Sequence, residues 1–214
     1  MGAPAEPSEH RAKPGPKPRF TRERLTEIAL SIVDRDGFDA LSLRAVAREL
    51  GVTPMALYTY VASSDELAAM VIEQLVAAKA PRLRASRSWQ QTVRSFATSL
   101  AELVSEHPAL LQAYARGAVT TPAALRVAEQ VLTQLEAGGL SRRVAAETYA
   151  AVHSLVLGHM LLQSPSSQSI ALAVDSRPLP KVTAALRAGH RPGQIPLAQL
   201  IKMLIDGIEV RSAP

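Results

Sequence analysis

Between Ser42 and Tyr60 the chain gathers side chains whose chemistry suits a nucleic acid surface: Ser42, Arg44, Thr53, Pro54, Met55, Tyr58, Thr59 and Tyr60. Hydroxyl and guanidinium groups bond to phosphate oxygens and base edges, while threonine and methionine touch thymine methyls. Just upstream, residues 11–24 carry Arg11, Lys13, Lys17, Arg19, Arg22 and Arg24 against Glu23 alone, a local net charge of six minus one, +5. A localised basic segment is the electrostatic footprint of a nucleic-acid binder, although a basic tail can also serve only to keep a protein soluble. A second set lies further along: Trp89, Phe96, His107, Tyr114, Tyr149, His153, His159 and Gln163. Aromatic rings with a few polar tips are what a small-molecule cavity needs, but each of these residues also serves as an ordinary structural side chain.

Other chemistries are poorly supplied. The chain has no cysteine, which removes disulfides, thiolate metal sites and cysteine nucleophiles and fits a reducing compartment. His153 and His159 are six residues apart, about 120° around a helix, a poor geometry for a shared metal. There is no glycine-rich phosphate loop, no HExxH and no nucleophile elbow. We therefore expect no metal, no cofactor and no catalysis. No stretch reaches the roughly 20 apolar residues of a membrane span, and the start of the chain lacks an apolar signal segment. A soluble, cytoplasmic protein with no membrane partner is expected.

The elements that must position these residues read as helices throughout. Hydrophobic residues are 47% of the chain and aromatics only 4%, with alanine and leucine dominant, and these lose little side-chain entropy in a helix. Residues 1–20 are proline-rich and lack periodicity, as in an extended or disordered basic arm. Leu25, Ile28, Ala29, Ile32 and Val33 then share one helical face, ended by Gly37, with Phe38 as a core plug. Ser42 caps a second helix with Leu43, Val46, Ala47 and Leu50 inward, and Gly51 breaks it. Thr53 and Pro54 supply a cap and first-turn proline for a short third helix running to about Val61, with Ala56 and Leu57 as its anchors. Two short helices joined by a glycine turn on a longer first helix make a helix-turn-helix, although such corners also occur in plain bundles. Ser63 and Glu66 have capping-box spacing for a fourth helix with Leu67, Met70, Val71 and Leu75 inward.

Pro81 and the basic loop to Arg87 mark the expected boundary between an N-terminal domain, 21–80, and a C-terminal domain, 81–214. The second part continues with Trp89, Val93, Phe96, Leu100 and Leu103 on one face, a short helix after Pro108, and another from Thr121-Pro122 to Ala137. A long helix from Ser141 to about Gln163, a serine-rich loop over 164–177, a short helix after Pro180 and a last helix over 194–210 complete it. The long and last helices carry apolar stripes that need covering, by their own body or by a second copy. Leu155, Gly158, Leu162, Leu200, Leu204 and Ile208 are the expected homodimer contacts. The expected fold class is all-α.

The stretch from Phe20 to Leu75, with "LSLRAVARELGVTPMALYTYV" and "SSDEL", resembles the DNA-binding domain of the tetracycline-repressor (TetR) family of regulators. Further on, "SWQQTVRSFATSLAELVSEHPAL", "EAGGLS", "HSLVLGHML" and "LAQLIKMLIDGIE" resemble the C-terminal domain of the tetracycline-repressor branch. The resemblance implies a homodimer that places its third helices in the major grooves of a near-palindromic double-stranded operator. Ser42 and Arg44 would then meet the DNA beside the Thr53–Tyr60 helix. Where many relatives have a lysine at the start of the fourth helix this chain has Ser63 and Ser64, with Ser64 a weaker phosphate contact. The basic arm, through Lys17 and Arg19, would compensate along the backbone or in a minor groove. The resemblance also implies a small-molecule effector bound within the C-terminal helices. The histidine and glutamate that hold the magnesium–drug chelate in tetracycline repressors correspond here to Tyr114 and Leu162, which points to a different, more hydrophobic effector. Arg94 and Arg116 leave room for an anionic group on it.

The leading expectation is thus a ligand-responsive dimeric repressor. A helical small-molecule-binding protein without DNA binding, and an all-α enzyme, are the alternatives from other classes.

Overall fold

The computed structural model describes residues 20–79, 88–115, 120–163, 181 and 193–212. Expectations for the basic arm (Lys17 and Arg19 included), the 80–87 boundary loop, Arg116, the serine-rich loop and the helix after Pro180 lie outside those residues. Among the described residues all regular structure is helical, as the composition requires.

Helix α1 spans Arg22–Asp36, with Thr21 Oγ1 accepting the Arg24 N–H as its cap and Leu25, Ala29, Ile32 and Val33 buried along one face. Gly37 ends it at φ +82°, in the left-handed half of φ space where a side chain is strained, and a single 3₁₀ turn, Phe38–Ala40, seats Phe38 in the core. Helix α2 is Leu43–Leu50, capped by Ser42 Oγ on the Ala45 N–H and closed by Gly51 at φ +67°. Helix α3 is shorter than its sequence pattern suggests. Only Pro54–Leu57 is α-helical, and Tyr58, Thr59 and Tyr60 follow as turns in which Tyr60 and Val61 N–H groups both converge on the Leu57 carbonyl. Thr53 stands at the cap position, but its hydroxyl makes no cap hydrogen bond; Pro54 has no N–H to satisfy, so less is lost. Helix α4, Ser64–Lys79, starts with the Glu66 N–H on Ser63 Oγ, while the Glu66 carboxylate takes the Ala62 N–H rather than that of Ser63.

Helices α5 (Trp89–Glu106), α6 (Leu110–Ala115), α7 (Pro122–Ala137), α8 (Arg142–Gln163) and α9 (Leu197–Ser212) build the second part. The last begins three residues later than its apolar pattern, because the Pro196 carbonyl nucleates it. Two apolar cores result. One joins α1–α4 to Leu103, Leu110, Ala113 and Ala123, so packing crosses the expected domain boundary instead of stopping there. The other holds Trp89, Phe96, Leu135, Val152, Val156, Ile201 and Ile205 among α5, α7, α8 and α9.

The α7–α8 corner depends on a close approach. A Cβ at Gly138 would lie 2.6 Å from the Trp89 backbone nitrogen, and a backbone atom cannot swing away. At Gly158 on α8 a Cβ would meet nothing within 4 Å. In urea melts we expect Gly138→Ala to lower stability by about 1–3 kcal/mol and Gly158→Ala to move it by less than about 1 kcal/mol.

Candidate DNA-reading head and ligand chamber

The reading head is built by burial on one side and exposure on the other. Leu57 and Val61 are fully enclosed by α1, α2 and α4, which fixes α3 against the body. Met55 and Tyr58 are left 76% and 55% exposed, and Thr53, Pro54, Thr59 and Arg44 are exposed beside them. Large exposed apolar groups on an otherwise well-packed element mark a surface made for a partner. Ser42 is half-buried, its oxygen used as the α2 cap while its O–H stays available to donate.

Tyr60 departs from the sequence expectation. Its ring packs on Phe20 with centroids 4.7 Å apart, and its hydroxyl donates to the Phe20 carbonyl at 3.0 Å. The reason is that the chain leaves the helical register after Leu57, which turns Tyr60 back toward α1. Tyr60 therefore anchors Phe20, just ahead of α1, instead of facing outward. Ser64 is half-buried at the α4 start, where Asp65 and Glu66 already supply negative charge to the first turn. That charge opposes a phosphate there.

A cavity of about 40 Å³ lies between α4, α5, α6, α7 and α8. Phe96, Tyr114, Tyr149 and His153 of the expected set line it; Phe96 stacks on Tyr149 at 5.3 Å and 14°, and His153 sits edge-on to Tyr149 at 4.7 Å. Burial pushes the Tyr114 hydroxyl up to about 12 and raises that of Tyr149, so both stay protonated. Burial also lowers the His153 imidazole, opposed in part by the Tyr149 carbonyl one turn back. Its Nδ1 is buried and completes no hydrogen bond. The ring is thus neutral at pH 7.

Four expected members do not line this cavity. Trp89 is buried at the start of α5 against the Gly138 corner. His107 precedes α6 and its Nδ1 pairs with Asp34 of α1 at 2.8 Å, bridging the two parts of the chain. His159 is buried further along α8 with its Nδ1 unpaired, and the Gln163 amide donates to the Gly193 carbonyl. Arg94 faces away, into a groove between α5 and α9 beside Leu197 and Ile201. Sequence reasoning missed the small wall residues Val76, Ser99, Ala124 and Val127, which carry no chemical signal of their own. Among the described residues no cluster of histidine and carboxylate side chains is arranged to hold a metal.

The expected dimer contacts divide. Gly158 and Leu162 are exposed, Leu162 being 45% exposed. Leu155 and Leu204 rest partly on their own core, Leu200 is half-buried, and Ile208 is buried within its own subunit. The helical phase puts Ile208 with Ile201 and Ile205 on the inner face, a correction to its place in the expected interface. The outer face instead carries Leu161, Met203 and Val210, 54%, 60% and 79% exposed, with Gly207 exposed between the last two.

One polar junction ties the two parts. Glu73 of α4 accepts the Ala123 N–H at 2.6 Å at the start of α7, and accepts from Arg126 at 2.8 Å. Burial pushes this carboxyl up, but the Ala123 N–H, the Thr121 hydroxyl and Arg126 outweigh it and hold it below its ordinary value.

Residues 25–71 match the profile described as bacterial regulatory proteins of the tetR family, and residues 81–197 match that of the tetracyclin repressor-like C-terminal domain. The chain is 34% identical over 128 residues to the HTH-type transcriptional repressor DrrR1 of Streptomyces coeruleorubidus, covering 59% of this chain and 47% of that protein. It is 26% identical over 148 residues to an HTH-type transcriptional regulator of Saccharopolyspora erythraea, covering 69% and 63%. The chain therefore spans about half to under two thirds of the length of these relatives. The solved structure of ActR from Streptomyces coelicolor, in complex with actinorhodin, shares the fold at a TM-score of 0.73 and 22% identity, over 91% of this chain and 99% of that one.

Because the folded Glu73 carboxyl titrates below its ordinary value of 4.5, its stabilisation is complete above that pH and fades as pH falls through the folded value. Glu73→Gln should therefore cost about 1 kcal/mol at neutral pH. In chemical melts its gap from the parent chain should close toward pH 3. A gap constant with pH would place the loss in packing instead.

Proposed function

The chain belongs to the TetR family of bacterial regulatory proteins, and on that footing we propose that it is an effector-responsive repressor of transcription. It binds double-stranded operator DNA as a homodimer, and a small hydrophobic molecule releases it. The observation that supports this reading most directly is the position of α4. Its Leu67 is buried in the core that holds α2 and α3, and its Val76 lines the cavity. Filling the cavity therefore acts on the same rigid rod that supports the reading head.

On the DNA, α3 enters the major groove. Met55, Pro54 and Thr53 make apolar contact with thymine methyls, Tyr58 and Thr59 donate to phosphates or base edges, and Arg44 with the Ser42 hydroxyl binds the flanking backbone. Ser64 adds little for the charge reason given above, and Tyr60 contributes by position. Lys17 and Arg19, which precede Phe20 in the sequence, add phosphate or minor-groove contacts. The dimer forms through the outer faces of α8 and α9, where Gly158, Leu161, Leu162, Met203, Gly207 and Val210 leave apolar surface bare. Two heads on a two-fold axis then meet two half-sites one helical turn apart.

Gel shifts against the DNA upstream of its own gene test this directly. Tyr58→Ala and Arg44→Ala should each weaken binding by about five- to tenfold without changing the melting temperature. Removal of residues 1–19 should flatten the dependence of affinity on salt. Normal binding by both point variants would sink the assignment of the reading face. Met203→Arg combined with Gly158→Arg should give a monomer in sedimentation that no longer shifts operator DNA.

A further inference from the structure

The chamber's walls are informative about the chemistry they accept, a question that rests on the effector reading above. His153 is the centre of a ring cluster: Tyr149 lies 4.7 Å away, Phe96 5.1 Å and Tyr114 6.0 Å, centroid to centroid. The described wall residues around them are otherwise Ser99 and aliphatic side chains, with no carboxylate, lysine or arginine. Arg94, the described basic residue suggested for an anionic group, faces the α5–α9 groove instead. A charged ligand group would therefore be buried without a partner, which is costly. Beside the Ser99, Tyr114 and Tyr149 hydroxyls, the polar atom left buried without completing a hydrogen bond is the His153 Nδ1.

We propose that this cavity takes an uncharged, planar aromatic effector that carries a hydroxyl or carbonyl group directed at His153 Nδ1. The rings of Phe96, Tyr114 and Tyr149 offer faces and edges to a flat π-system, a preference beyond simple apolar burial. A hydroxyl suits either tautomer of the imidazole, since it both donates and accepts. Size adds a condition. About 40 Å³ is far below the roughly 300–1,000 Å³ of a pocket for a drug-sized ligand, so the effector enters by displacing walls. Val76, Ala124 and Val127 line the wall where α4 and α7 meet, and one polar junction at Glu73 holds those two helices together, so this is the seam we expect to part. A ligand of this class accordingly acts at the α4–α7 seam.

The test is calorimetric titration of the full chain with 2-naphthol, naphthalene and decahydro-2-naphthol. The first carries ring and hydroxyl, the second only the ring, the third only the hydroxyl on a saturated frame. We expect 2-naphthol to bind about tenfold more tightly than the saturated alcohol and about fivefold more tightly than naphthalene. His153→Phe should erase the second preference and leave naphthalene within about twofold of its parent affinity. Equal binding of 2-naphthol and the saturated alcohol overturns the aromatic class, and equal binding of 2-naphthol and naphthalene overturns the role of His153; both comparisons need only the parent chain, so a poorly folded variant decides nothing. A variant that melts normally and keeps the second preference also overturns the His153 role. If none of the three binds while the chain still shifts its upstream DNA, the ligand class falls and the regulatory reading stands. If they bind as expected but the chain shifts no DNA, the regulatory reading falls and the chemistry of the cavity stands.

Discussion

The reading head and the chamber share α4, because one buried face of that helix packs under the first and walls the second. Its Leu67, Val71 and Ile72 are fully enclosed with the reading head, and Val76 reaches the chamber wall. Nine residues separate Leu67 from Val76, about 13 Å of helix. An α-helix transmits displacement along its axis with little loss, whereas a loop of the same length would absorb it. The two halves of the chain are consequently not independent bodies. Leu103, Leu110, Ala113 and Ala123 from the second half complete the core of the first. Two polar ties, Glu73 to α7 and His107 to Asp34, fix the register of that contact.

Much of this was readable from spacing alone. The apolar period in Leu25–Val33, the serine cap at Ser42, the glycine stops at Gly37 and Gly51, and the proline starts at Pro54 and Pro122 each act locally, and each produced the expected element. What spacing did not reveal depended on neighbours far along the chain. Tyr60 has the same type and exposure prospects as Tyr58, and only its partner Phe20, forty residues away, decides that it turns inward. Ile208 looked like a contact for a second copy because its own core, set by Ile201 and Ile205 against α5 and α8, is a tertiary fact. The same limit applied to the chamber. The aromatic residues announced themselves, but which four of eight met was fixed by helix phase, and alanine and valine walls announce nothing.

The polar design of the chamber follows from that economy. With one imidazole, two phenols and one serine hydroxyl among aliphatic walls, the described lining offers hydrogen bonds but no charge. Burial keeps each of the titratable groups in its neutral form near pH 7. Selectivity in such a site comes from shape and one directional bond.

The chamber is nearly shut at rest, and this has a consequence for sensitivity. A ligand that must open its own site spends part of its contact energy on opening, so its apparent affinity is its intrinsic affinity reduced by the population of the open form. The response threshold is then set in two separable places. Ring and hydroxyl contacts set which molecule is preferred, while the ease of parting α4 from α7 sets how much of it is needed. Changes at Ala124, Val127 or the Glu73 junction shift the dose without shifting the preference. On the proposed effector reading, sensitivity and selectivity are therefore adjustable at separate residues.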